Sequence, residues 1–82
     1  MTTFRYWAAA RAAAGTTSDD VDAGTLAEAL ELLRGRHGAR LTAVLSVCAF
    51  VVDGDPAGAR DHATVSLSGA ALVDVLPPFA GG

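Results

Sequence analysis

Eighty-two residues, 51% of them apolar and 18 of them alanine, make one domain with a modest core of small side chains. Six arginines against nine acids leave a net charge of −3, which argues against nucleic-acid binding by a basic surface, and with no lysine the side chains offer no amine for Schiff-base or isopeptide chemistry. The lone cysteine, Cys48, rules out an internal disulfide and a thiolate metal cluster; with no apolar run fit for a signal peptide or a membrane span, a cytoplasmic protein with no membrane partner is expected.

Residues Thr3 to Trp7 alternate and are rich in aromatics, which predicts a first strand with Phe4 and Tyr6 on one face and Arg5 and Trp7 on the other. Ala8 to Ala14 favours a short helix that Gly15 ends. Thr16 to Asp22 reads as a polar second strand. Thr25-Leu26-Ala27-Glu28 is a capping box: the Thr25 hydroxyl accepts from the Glu28 N–H, and the Glu28 carboxylate reaches back to the Thr25 N–H. Leu26, Leu30 and Leu33 then follow as a helical apolar stripe, with Arg34 and Arg36 suited to the helix end and Gly35 and Gly38 as candidate stops.

Leu41 to Leu45 predicts another short helix, and Val47 to Val52 an apolar strand closed by the Asp53-Gly54 turn. Asp55 to Ser68 reads as loop with one or two short strand pieces, and Ala71 to Leu76 as the last strand. Strands, a capped helix and more strands in this length predict an α+β fold, a mixed sheet with one main helix on one face. Cys48 sits in an apolar run and reads as a packed hydrophobe. His37, His62 and the acids Asp19, Asp20 and Asp22 read as solvated surface, and the two histidines lack the spacing of a metal site.

The sequence closes on Pro77-Pro78-Phe79-Ala80-Gly81-Gly82. Each proline fixes φ near −65° and lacks an N–H, so the pair ends the strand and starts an extended arm. Six extended residues reach roughly 20 Å. Two glycines without Cβ give the thinnest possible tip, able to enter a narrow site and leave a terminal carboxylate open to attack. Residues 1–76 are therefore expected to form the domain and residues 77–82 a flexible tail.

Three stretches resemble the MoaD/ThiS family of ubiquitin-like sulfur carriers. They are Arg5-Tyr6-Trp7-Ala8-Ala9-Ala10-Arg11 with Gly15, the capped helix from Thr25, and Asp74-Val75-Leu76 running into the Pro-Pro-x-x-Gly-Gly tail. The tail most resembles the branch that serves molybdopterin synthase. The resemblance implies a ubiquitin-like β-grasp fold and a carrier cycle. An ATP-dependent activating enzyme adenylates the Gly82 carboxylate, a sulfur donor converts it to a thiocarboxylate, and the loaded tail gives sulfur to a pterin precursor in the synthase large subunit. Two small and two large subunits would form that complex, with catalysis on the large one. No cofactor is expected on the chain itself; ATP belongs to the activating enzyme. In one respect the sequence departs from the family: the usual Gly-Asp before the last strand reads Ala70-Ala71 here, with Gly69 one residue earlier.

Under that fold the first and last strands are neighbours, so Arg5 and Trp7 would lie beside Asp74 and Leu76 on the open face. Trp7 and Leu76 then form a candidate partner-binding spot at the base of the tail, continued by Pro77, Pro78, Phe79, Ala80 and Gly81 to the reactive Gly82. The alternative reading of Trp7 is a core residue of a small domain, since tryptophan is usually largely buried. Other functions stay open: a carrier for thiazole, cysteine or tRNA thiolation, a ubiquitin-like modifier forming amides with target lysines, or an interaction domain whose proline arm binds an aromatic groove.

Overall fold

The computed structural model describes residues 1–78. Alternation holds along the first strand, β1 (Thr2–Tyr6), where Thr2, Phe4 and Tyr6 are buried and Arg5 is exposed. Then come α1 (Ala8–Ala14), β2 (Ser18–Val21), α2 (Leu26–His37), α3 (Ala39–Leu45), β3 (Ala49–Val52), β4 (Asp55–Pro56), a 3-10 turn at His62–Thr64, and β5 (Leu72–Leu76). The strands form one mixed sheet in the order β2-β1-β5-β3-β4. β1 and β5 run parallel, pairing Phe4 with Val73 and Tyr6 with Val75, while the other pairs are antiparallel. A parallel pair needs a long crossover, and α2 lies within it. This is the expected α+β, β-grasp arrangement.

The core follows from two periodicities meeting. Phe4, Tyr6, Phe50, Val73 and Val75 from the strands and Leu26, Ala29, Leu30 and Leu33 from α2 are all buried. Each large apolar side chain so buried contributes roughly 1.5–3 kcal/mol before entropy is set against it. α1 packs against α3, and α3 against α2. The alanine side chains of α1 leave room for that approach, and Ala10 is fully enclosed.

The cap of α2 differs from expectation in one bond. Thr25 Oγ1 accepts from the Glu28 N–H at 3.2 Å, but the Glu28 carboxylate passes Thr25 and accepts from the Gly24 N–H at 3.4 Å. Of the two candidate stops, Gly35 lies inside the helix and Gly38 ends it, at φ +82°, a backbone angle suited to glycine. Strand limits also move. β2 starts at Ser18, two residues later than expected. β3 starts at Ala49, because the N–H groups of Ser46, Val47 and Cys48 return to the Thr42, Val44 and Leu45 carbonyls as the end of α3.

Asp53 and Gly54 both take positive φ, +48° and +83°, as a two-residue hairpin turn between β3 and β4 requires. The turn does a second job. The Asp53 carboxylate accepts from the Ala71 N–H at 3.1 Å and the Leu72 N–H at 2.8 Å. The start of β5, which reads Ala70-Ala71 and carries no acid of its own, is thus held by a carboxylate from the neighbouring hairpin. Asp53→Ala, losing both these bonds and a residue tolerant of positive φ, is expected to cost about 1–2 kcal/mol in a denaturant titration, with Asp53→Asn costing less.

A correction concerns His37 and Asp19. Neither is a solvated surface group. Asp19 lies on the inner face of β2, where it accepts from the Tyr6 hydroxyl at 2.8 Å, bonds His37 Nε2, and meets Arg36 Nη1 at 3.4 Å. The Tyr6 and His37 rings meet edge to face. Burial pushes the Asp19 carboxyl up, but the bonds from His37 and Tyr6 and the charges of His37 and Arg36 outweigh it and hold it below the ordinary range. A depressed carboxyl contributes stability above its unfolded pKa and loses it as pH falls through the folded value. Stability is therefore expected to fall more steeply between neutral pH and about pH 3 in the unaltered chain than in Asp19→Asn, as read from denaturation midpoints. His62 is also half-buried, with its ring edge-on to Phe50.

Candidate docking site at the root of the tail

β5 delivers the chain to Pro77 at the edge of an apolar hollow of about 540 Å³. Trp7 and Ala8 wall it where β1 passes into α1, Val47 and Ala49 where α3 passes into β3, and Leu76, Pro77 and Pro78 along the departing chain. Three local reasons put these residues there. Trp7 is the residue before α1, extended at φ −121° and ψ 148°, with its N–H donating to the Val75 carbonyl at 3.3 Å. Ala49 pairs with Leu76 across β3 and β5, so both reach the open face. Val47 is lifted out by the turn after α3 and is 62% exposed. Trp7 and Leu76 are 39% and 37% exposed, and such large apolar side chains grouped on one face are the ordinary mark of a contact surface.

The open face beside the hollow carries one polar cluster. Arg5 and Asp74 are cross-strand partners, joined from Arg5 Nε to Asp74 Oδ1 at 2.8 Å. Trp7 Nε1 donates to the same oxygen at 2.9 Å, and the Arg5 guanidinium carbon lies 5.0 Å from the Trp7 ring centroid. Ala8, next in the chain, holds φ +48°, which a residue with a Cβ adopts at a cost of roughly 1–2 kcal/mol.

Trp7 thus lies beside Leu76, and Arg5 beside Asp74, as strand alternation implies. Pro77 and Pro78 continue from that point. Phe79, Ala80, Gly81 and Gly82 lie outside the described residues. Sequence reasoning missed Ala8, Val47 and Ala49. Val47 had a signal, an apolar β-branched residue between Ser46 and Cys48, but it was absorbed into a strand.

The rest of the chemistry is sparse. Burial pushes the Cys48 thiol up to about 11, and its Sγ donates to the Val44 carbonyl at 3.2 Å, so it is a protonated packing group at neutral pH. Among the described residues no three His, Cys, Asp or Glu side chains gather as a metal site, and no helix is long and apolar enough to cross a membrane. A second hollow, of about 570 Å³, lies at the other end of β1 and β5 between Met1 and Ala71, lined in part by Asp22 and Ser68. Among the described residues, neither Pro77 nor Pro78 lines it.

Compared with known families, the chain matches the ThiS family model over residues 4–82, which takes in both the hollow and the tail. The chain belongs to the ThiS family. It is a ubiquitin-like sulfur carrier, and sulfur carriers of the ThiS family work with partner enzymes. No curated protein matches it.

Proposed function

We propose that the chain is the sulfur-carrier subunit of a molybdopterin synthase, with the Gly82 carboxylate as its reactive group. The observation that carries this reading is the tail: Pro77-Pro78 leave β5 beside an exposed Trp7–Leu76 surface and lead into the Pro-Pro-x-x-Gly-Gly sequence of that branch. The arm of residues 77–82 spans roughly 20 Å when extended. That is ample to pass from a docked domain into an enclosed active site.

The chemistry follows from what a carboxylate lacks. It is a poor electrophile, so an activating enzyme transfers AMP from ATP to the Gly82 carboxylate and releases pyrophosphate. A sulfide-level donor then attacks the carbonyl carbon and displaces AMP, leaving a thiocarboxylate. Its sulfur, ionised at neutral pH, is the nucleophile toward the pterin precursor. Two loaded carriers serve each dithiolene, and hydrolysis returns the Gly82 carboxylate for another round. An exposed acyl-adenylate hydrolyses, so both steps belong inside partner sites that exclude water and hold the reacting atoms close. The carrier supplies a slim arm and a docking face; partners supply bases and cations.

The test loads the chain with sulfur, adds a molybdopterin synthase large subunit and the pterin precursor, and follows intact mass and product together. Loss of the thiocarboxylate with appearance of molybdopterin is expected. A chain that loads but keeps its sulfur would move the assignment to thiazole, cysteine or tRNA thiolation. Lysine-linked conjugates of higher mass in cells, abolished by blocking Gly82, would move it to a protein modifier.

A further inference from the structure

Asp74 stands three residues before Pro77, on the strand that becomes the arm. Its oxygen Oδ1 takes two donors, Arg5 Nε at 2.8 Å and Trp7 Nε1 at 2.9 Å. The first bond follows from register, since Arg5 and Asp74 face each other across β1 and β5; an exposed ion pair of this kind contributes little by itself. The second does not follow from the sheet. Trp7 lies beyond the end of β1, and strand pairing does not require its ring to turn toward Asp74. An indole has a single N–H, pointing along the ring plane, so using it on Asp74 fixes that plane. The Arg5 guanidinium over the ring holds it from a second direction.

The backbone is held too. The Trp7 N–H is tied to the Val75 carbonyl, and Ala8 stays at φ +48° although it carries a Cβ. Such strain persists only where the surroundings over-determine it, and it gathers at sites that work on ligands. Both ends of Trp7 are therefore fixed to β5, one by Val75 and one by Asp74.

We infer that Asp74 is a positioning residue for activation of the tail: it locks the Trp7 ring at the root of the tail in the orientation that the activating enzyme meets. The inference rests on the carrier reading above. The bond from Arg5 holds the Asp74 carboxyl below the ordinary range; burial opposes this and the Trp7 bond adds to it, so the acceptor stays charged at neutral pH.

The test uses the 82-residue chain with an ATP-dependent adenylating enzyme that serves sulfur carriers of the molybdopterin branch, following ATP–pyrophosphate exchange. Alongside, NMR follows the indole N–H of Trp7, the only tryptophan. Asp74→Ala and Trp7→Phe are each expected to raise KM for the carrier about tenfold and to change kcat by less than about threefold. The double variant is expected to be little worse than either single one, because both changes remove the same Trp7–Asp74 bond and the exposed Arg5–Asp74 pair contributes little by itself. Asp74→Asn, which keeps an acceptor oxygen, is expected to keep KM close to that of the unaltered chain. In Asp74→Ala the indole resonance is expected to shift and its exchange with solvent to quicken. If Asp74→Ala does not fold, Asp74→Asn and Trp7→Phe decide the matter, the first retaining KM and the second losing it.

An unchanged KM in Asp74→Ala or Trp7→Phe would overturn the inference and leave the carrier reading standing, even if the melting temperature fell. Additive KM losses in the double variant would overturn it as well, by showing that Asp74 acts apart from Trp7. An unaltered chain that supports no exchange with that enzyme would instead overturn the molybdopterin reading, and this inference with it.

Discussion

Replacing Gly81 with valine is expected to abolish sulfur loading and leave the folded domain as it was. The physical reason lies in the width of the arm. A glycine carries no Cβ, so a partner's channel need only clear the backbone, and the chain is free to bend into angles closed to other residues. Valine adds a branched Cβ that widens the chain and restricts its backbone one residue from the reacting carbon. Displacing a reacting group by about 1 Å costs on the order of 100-fold in rate, so loading followed by intact mass should fall by at least about that factor. One residue added after Gly82 should act as strongly, because it moves the carboxylate off the site by one repeat of the chain. The buried core is built from residues between Phe4 and Val75, so melting temperatures are expected to stay within about 3 °C of the original. Either altered chain loading at the normal rate would remove Gly82 from its assigned role.

Trp7→Ala is expected to weaken partner binding roughly thirtyfold, equivalent to ~2 kcal/mol, in a titration against the activating enzyme or the synthase large subunit. Its stability is expected to fall by no more than about 1 kcal/mol. The asymmetry comes from what the ring touches. It is 39% exposed, and it faces Leu76, Pro77 and Pro78 across an open hollow instead of filling the space beneath α2. A partner that seats an apolar group there buries the ring fully, and tryptophan is the residue whose removal from such a contact costs most. A stability loss larger than the binding loss would assign Trp7 to the core.

How much of this could be read without coordinates depended on how local the cause was. The faces of β1 and β5, the stripe of α2 and the stop at Pro77 each follow from neighbours in sequence, and they emerged as the alternation and the helical spacing implied. The pairing of β1 with β5 did not; it came from resemblance to a β-grasp family, and only with it does Trp7 fall beside Leu76. Contacts between distant groups stayed hidden. His37 and Asp19 are 18 positions apart and meet because α2 ends over β2. Asp53 serves the start of β5 from another hairpin, 18 and 19 positions away. Polar residues in such places read as solvated because nothing nearby in the chain satisfies them. Val47 failed for the opposite reason: its β-branched side chain matched a strand, but the last turn of α3 claimed its N–H first.

The position of β5 has a mechanical consequence. A partner that draws the arm into its active site pulls along this strand. β5 is flanked by β1 on one side and β3 on the other, so its backbone bonds run sideways to both. Tension along the strand therefore loads both ladders in shear, with many bonds sharing the force at once. Pulled the same way, the two-residue edge strand β4 would have one ladder and few bonds to resist. The arm is rooted in the strongest part of the sheet, which lets an enzyme tug on its tip without unravelling the domain behind it.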